Sequence, residues 1–166
     1  MKEEQFKVLK ALSEATSRMD MNMFAKKVNL DPNQTIQQVQ ELAKEGFLQK
    51  VGSGFGITAK GKSALRSFVP VPEGMGFHFY NGMDQPTDLK AKTLWEFYGD
   101  IKQVKADSLE FHLYRGDFEN WLKDACKETE FAVEVAVVKD ADLKGEELRA
   151  ELLRVIDARY GIQELL

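Results

Sequence analysis

Gly56-Ile57-Thr58-Ala59-Lys60-Gly61-Lys62-Ser63, GITAKGKS in one-letter code, fits the nucleotide-binding pattern G-x-x-x-x-G-K-[ST] at every fixed position. A phosphate-binding loop of that kind follows a buried strand directly and opens a helix, because the phosphates rest on the helix N-terminus within a parallel sheet. The residues before Gly56, VGSGF, are too short and too rich in glycine for a central strand. Thr58 is a favoured N-cap residue, so the helix is expected to start inside the supposed loop. An acid to hold a metal is available at Asp140, after the apolar run AVEVAVV, but the intervening strand and helix units of an α/β nucleotide-binding domain are absent. The competing reading makes the octapeptide the end of a β-hairpin followed by a capped helix, with Gly61, Lys62 and Ser63 in its exposed first turn. The overlapping G-x-G-x-G at residues 52–56 is then a hairpin turn.

Working outward, the segments on either side favour the hairpin. Phe6, Val8, Leu9 and Leu12 give a helical stripe at about residues 3–15. Asp20 can cap a second helix carrying Phe24 and Val28. Asp31-Pro32-Asn33-Gln34 combines an acid N-cap, a proline at the first helical position and a glutamine three residues after the cap. The third helix is expected to run to about Glu45, burying Ile36, Val39, Leu42 and Ala43, and to stop at Gly46. Phe47 to Val51 alternates as a short strand, Gly52-Ser53-Gly54 turns, Phe55 to Ile57 returns, and the fourth helix holds Ala64, Leu65 and Phe68.

Three helices, a small hairpin and a further helix make a winged helix-turn-helix. ELAKEGFLQK (residues 41–50) followed by FGITAKGKSAL (residues 55–65) resembles the end of the recognition helix, the wing and the next helix of MarR-like and ArsR-like transcription regulators. The resemblance covers about residues 5–68 and implies that the third helix enters a DNA major groove while basic side chains hold phosphates. Its exposed face is expected to offer Gln34, Thr35, Gln37 and Gln38, glutamine being able to pair bidentately with adenine. Lys44, Lys50, Lys60 and Lys62 are the expected phosphate contacts, with Lys26, Lys27 and Arg66 nearby in sequence. Glu41, the lack of an arginine on the helix and the neutral wing tip speak against tight binding. A winged helix that binds protein is the alternative, and a nucleotide-binding protein the distant third. Double-stranded DNA is therefore the expected partner, with a protein partner as the rival, and a homodimer is expected because one short helix reads few base pairs.

Charge agrees with such a division. The net charge of −4 splits into +4 over residues 1–68 (eleven Lys/Arg, seven Asp/Glu) and −8 over residues 69–166 (twelve against twenty). Between them VPVPEGMG, residues 69–76, holds two prolines and two glycines and reads as an extended connector. The expected domains are thus 1–68, a winged helix, and 77–166, acidic and aromatic-rich, in a mainly α protein. No apolar run approaches the roughly 20 residues that span a bilayer, and the N-terminus, MKEEQFKVLKAL, lacks the pattern of a signal peptide. A cytoplasmic location is expected.

Past the connector, helices are expected at about 88–101, at about 107–114, from an N-cap at Asp117 through Phe118, Trp121, Leu122 and Ala125, and at about 145–160 with Leu148, Leu152, Val155 and Ile156 inward, ending at Gly161. FAVEVAVV, residues 131–138, suits a strand or a helix. FHFYNG, SLEFHL and RGDFENWLKD resemble an uncharacterised small domain of archaeal and bacterial genomes, over roughly residues 77–160; the resemblance implies helix at 131–138 and no known activity. His78 and His112, with Asp117 or Cys126, have the chemistry to bind a metal or move protons, yet neither sits in an H-x-x-x-H or H-E-x-x-H pattern. Lone Cys126 reads as a core filler. No catalytic residue, metal or cofactor is expected, and the chain is not expected to be an enzyme. Eleven of the seventeen aromatics fall between Phe77 and Phe131, which core packing explains without a ligand.

Overall fold

The computed structural model describes residues 1–15 and 18–162; residues 163–166, the end of the expected second domain, lie outside it. The described chain is mainly helical with two small antiparallel hairpins. It divides into two compact units, Met1–Arg66 together with residues 160–162, and Ser67–Arg159. Among the described residues no helix is long and apolar enough to cross a membrane.

In the first unit, α1 (Glu3–Glu14), α2 (Met21–Val28) and α3 (Pro32–Lys44) precede β1 (Leu48–Val51), β2 (Gly54–Ile57) and α4 (Ala59–Arg66). The start signals work as their chemistry requires. Asp20 Oδ1 accepts the Met23 N–H at 2.9 Å, and Asp31 Oδ1 accepts those of Asn33 and Gln34 at 2.8 and 2.9 Å. The Gln34 side chain returns to the Asp31 N–H and completes a capping box. Asn29, in the left-handed region at φ 57°, ends α2, so only Asn29, Leu30 and Asp31 separate the two helices. Val8, Leu9, Phe24, Val28, Val39, Leu42, Phe47 and Leu48 form the core.

The face that α3 buries differs from the expected one. Thr35, Gln38, Val39 and Leu42 are its buried residues, a stripe at i, i+3, i+4 and i+7, whereas Ile36 is 38% exposed. Thr35 tolerates burial because its hydroxyl donates to the Asp31 carbonyl at 2.9 Å. Gln38 Oε1 has no hydrogen-bond partner among the described residues.

At the C-terminus of α3, Gly46 adopts φ 84° and the Phe47 N–H returns to the Leu42 carbonyl at 2.9 Å. The hairpin then pairs Leu48 with Ile57 and Val51 with Gly54. Thr58 closes it. Its N–H donates to Phe47 O at 3.1 Å, its hydroxyl reaches Gly46 O at 2.6 Å, and its Oγ1 accepts the Gly61 N–H at 3.1 Å, capping α4. GITAKGKS is therefore the end of β2, a cap and the first turn of α4. Both sheets are two-stranded and antiparallel among the described residues, so the parallel sheet required by a phosphate loop is missing. Gly61 has a packing reason: a Cβ there would lie 2.3 Å from the Phe47 carbonyl oxygen.

In the second unit, β3 (Phe77–Tyr80) and β4 (Pro86–Ala91) form a hairpin, followed by α5 (Leu94–Gln103), α6 (Ala106–Arg115), α7 (Asp117–Asp124), α8 (Thr129–Val138), a 3-10 turn (Lys139–Ala141) and α9 (Gly145–Tyr160). The helix expected at 88–101 is corrected: its first residues belong to β4, which places Phe77 opposite Ala91 and His78 opposite Lys90. Thr93 is the cap that starts α5, accepting the Glu96 N–H at 3.0 Å. Residues 131–138 are helical, and Leu148, Leu152 and Ile156 of α9 are buried. The proline-rich segment 69–76 is tied to this unit, through Val71 N–H to Lys92 O at 2.7 Å and Trp121 Nε1–H to Met75 O at 2.8 Å.

Gly61→Ala should destabilise the protein by about 3 kcal/mol, since the new methyl group meets backbone that cannot step aside, whereas Ser63→Ala should cost a few tenths of that. Urea denaturation of the two variants checks both values; equal stability would show that α4 does not press on Phe47.

Candidate functional site

Two places carry chemistry, one in each unit. On α3 the direction opposite the buried stripe holds Asn33, Gln37, Gln40 and Lys44, all exposed, with Gln34 and Glu41 along one edge. Of the residues expected to read bases, Gln34 and Gln37 are on the surface. Thr35, fully buried, and Gln38, 6% exposed, are not, and both are withdrawn as base contacts because they belong to the packed stripe. Gln40 takes their place; its signal was present, three residues after Gln37 and four before Lys44. Gln37 Nε2 donates to Glu41 Oε1 at 3.0 Å, so the amide and the acid partly neutralise each other's hydrogen-bonding capacity. Glu41 Oε2 also accepts from Gln5 at 3.3 Å.

The four expected phosphate lysines are all exposed: Lys44 in the last turn of α3, Lys50 on β1, and Lys60 and Lys62 in the first turn of α4. Lys60 already has work within the fold. Its ammonium donates to the Glu45 carbonyl at 2.8 Å and lies 4.4 Å from the centre of the Phe47 ring. Cation and helix C-terminus attract. Among the described residues Lys44, Lys50 and Lys62 have no such engagement, which leaves their ammonium groups available to an anion.

The second place is in the aromatic unit. His112, 3% exposed, sits among Phe77, Phe79, Phe111 and Phe118, with ring centroids 4.8 to 5.9 Å from its own. Nδ1 is 2.8 Å from Asp117 Oδ2, and Nε2 accepts the Tyr80 N–H at 2.8 Å. The tautomer follows from these partners: a backbone N–H aimed at Nε2 needs its lone pair, so the proton is on Nδ1 and is donated to the carboxylate. Gly116 makes this possible. In the left-handed region at φ 82°, it reverses the chain between Arg115 and Asp117 without a spacer. Asp117 is thus the first residue of α7 and its carboxylate serves His112, which corrects its expected role as an N-cap.

Burial holds the His112 imidazole below its ordinary value; hydrogen bonding and charge from Asp117 pull the other way, and Arg115 and His78 reinforce the burial effect. With both ring nitrogens bonded to protein, the pair lacks the free lone pair that a general base requires. Beside it opens a cleft of about 330 Å³, whose wall includes His78, Tyr80, Met83, Arg115 and Asp117. Arg115 stands over Phe111, 4.5 Å from the ring centre, with Nε 3.6 Å from Asp117. His78 Nε2 and Thr87 O are 2.6 Å apart, so that nitrogen is the donor.

Cys126 stands apart from the cleft, its thiol pushed up to about 12 by burial and by Glu128, far from nucleophilic. Among the described residues no three of His, Cys, Asp and Glu gather to hold a metal.

Stability should depend on His112 with a definite sign. Its folded pKa is depressed, so its contribution is complete above about 6.5, the unfolded value, and is lost as pH falls through the folded pKa. Asp100 acts oppositely: burial and Glu96 push its carboxyl up to about 6, favouring the folded state at lower pH. The comparison that isolates the imidazole is therefore wild type against His112→Asn. At pH 7.5 His112→Ala should lose about 3 kcal/mol, from a cavity and an unpaired Tyr80 N–H. The stability difference between wild type and His112→Asn should shrink as pH falls below 6.5. A pH-independent difference in urea unfolding would contradict the depressed pKa of His112.

No curated protein and no solved structure matches the chain. Residues 74–166, a span that includes His112 and its aromatic neighbours, match a family of unknown function, DUF5752, and the chain belongs to that family.

Proposed function

We propose that the first unit is a winged helix-turn-helix that binds duplex DNA, with α3 in the major groove. The observation that carries this is the composition of the exposed α3 face: Asn33, Gln34, Gln37 and Gln40 are amides, and Lys44 follows at its end. Asparagine and glutamine match the acceptor and donor of adenine at N7 and N6, so the face suits A·T pairs better than G·C. The three-residue link between α2 and α3 is the length such motifs use. Lys44, Lys50 and Lys62 would contact phosphate, and the excess of +4 over residues 1–68 would draw the polyanion to this end of the chain. Lys60 would add less, because its ammonium is bound to Glu45 O. Glu41 limits affinity, so moderate, salt-sensitive binding is expected.

One observation favours protein as the partner instead. The same unit has a groove of about 610 Å³ whose wall includes Leu12, Met19, Met21, Phe24, Val39 and Phe55, with Met21 and Phe55 both exposed. Apolar surface of this kind is a common docking feature.

Fluorescence anisotropy with an A·T-rich labelled duplex separates the two. Binding should weaken steeply between about 50 and 200 mM salt, and each of Lys44→Ala, Lys50→Ala and Lys62→Ala should reduce the slope of log K against log salt by about 0.9. Gln40→Ala should lower the preference for A·T over G·C duplex by about 1 kcal/mol or more. No binding at low salt, with the chain folded, would reject the DNA reading.

A further inference from the structure

The surface of α8 is unlike that of its neighbours. TEFAVEVAVV buries Phe131, Ala132, Val135 and Val138, yet leaves Val133 61% and Val137 58% exposed one turn apart on the other side. A helix apolar on both sides is normally covered on both. Helix propensity does not explain the valines, since alanine, leucine or glutamate would serve an exposed position better. With Ala132, Ala136 and Asn120 they floor a groove of about 440 Å³ between α7 and α8.

Most of the charges round this groove are ion-paired within the unit, with one carboxylate in excess. Glu119 is paired with Lys139, and Glu130 and Glu134 with Arg159 at 3.0 and 2.6 Å. Among the described residues two charged lining residues have no partner, Lys123 and Asp140. They stand at opposite ends. The Glu119–Lys139 pair shows that α7 begins beside the end of α8, so Lys123, one turn later on α7, lies toward the start of α8, while Asp140 follows its last turn.

We infer that this face is a two-fold self-association surface, in which α8 packs antiparallel against α8 of a second copy. A two-fold axis across α8 at the level of Val135 exchanges its ends, so Lys123 of each copy meets Asp140 of the other, twice, while Val133 of each copy meets Val137 of the other. A cation and an anion at opposite ends of an apolar groove are what an isologous contact needs. The net charge of −8 over residues 69–166 opposes association in general, and the ion-paired rim, with one carboxylate in excess, reduces that opposition locally. With two valines per copy at its centre the contact belongs to the small class, below about 1,200 Å² in total, and a micromolar dimer is expected. The inference stands without the DNA reading, although a groove-reading helix gains specificity from a second copy.

Sedimentation equilibrium on the full chain without DNA tests it. Wild type should dimerise in the micromolar range, and Val137→Glu, at an exposed position and with unchanged circular dichroism, should weaken the dimer by tenfold or more, about 1.4 kcal/mol. Lys123→Asp and Asp140→Lys should each weaken it, and the combined variant should recover most of the loss. Monomer at hundreds of micromolar, a dimer indifferent to Val137→Glu, or a double variant no tighter than the single ones would each overturn the inference.

Discussion

The first unit depends on the close approach between Gly61 and the carbonyl of Phe47. A helix can lie against a strand's entry at this distance only where it has no side chain, and Thr58 fixes the approach by bonding to Gly46 O and Phe47 O while capping α4. From this junction the rest is determined. Gly46 turns the chain out of α3, Phe47 enters the core, the hairpin leaves from the same point, and Lys60 reaches back to the Glu45 carbonyl. The consequence for function is positional: hairpin and helix C-terminus share one anchor, so lysines on α3, β1 and α4 form part of one rigid surface.

The second unit solves a different problem, the placement of a polar ring in an aromatic core. Burying an imidazole costs free energy unless both nitrogens are bonded. The Tyr80 amide and the Asp117 carboxylate meet that demand, and in doing so His112 ties the hairpin to α6 and α7. The histidine and acid resemble a catalytic pair in spacing, but their partners consume the lone pair that catalysis would use. What this cleft leaves exposed is Arg115 stacked on Phe111, with an acid alongside.

Much of the first unit was legible because its signals are local. Asp20, Asp31-Pro32 with Gln34, Gly46 and Thr58 each act within four residues, and each was found acting so. The buried side of α3 was not legible. Ile36 and Ala43 drew the apolar stripe about 60° away from the true one, because two of the four buried positions are Thr35 and Gln38, whose burial depends on tertiary packing and on a hydroxyl turned back to Asp31. That error moved the candidate site, exchanging Thr35 and Gln38 for Gln40. In the second unit β4 was missed since PTDLKA has only Leu89 and Ala91 as apolar marks; its alternation emerges from pairing with Phe77 and His78. The partnership of His112 and Asp117 needed the left-handed Gly116, which sequence shows only as a glycine.

The two units thus differ in what they present. One offers an amide-rich helix face with exposed lysines on α3, β1 and α4, and the other an aromatic core with a valine stripe on α8. Both descriptions rest on rigid backbone at the elements concerned, and for the first unit the rigidity is assigned to the Thr58 and Gly61 junction. Amide hydrogen exchange by NMR measures this most directly. The N–H groups of Thr58 and Gly61, bonded to Phe47 O and Thr58 Oγ1, should exchange as slowly as those in the middle of α3, far slower than the turn at Gly52 and Ser53. Exchange of both at the rate of that turn would contradict the account, for the hairpin would then have no fixed relation to α3.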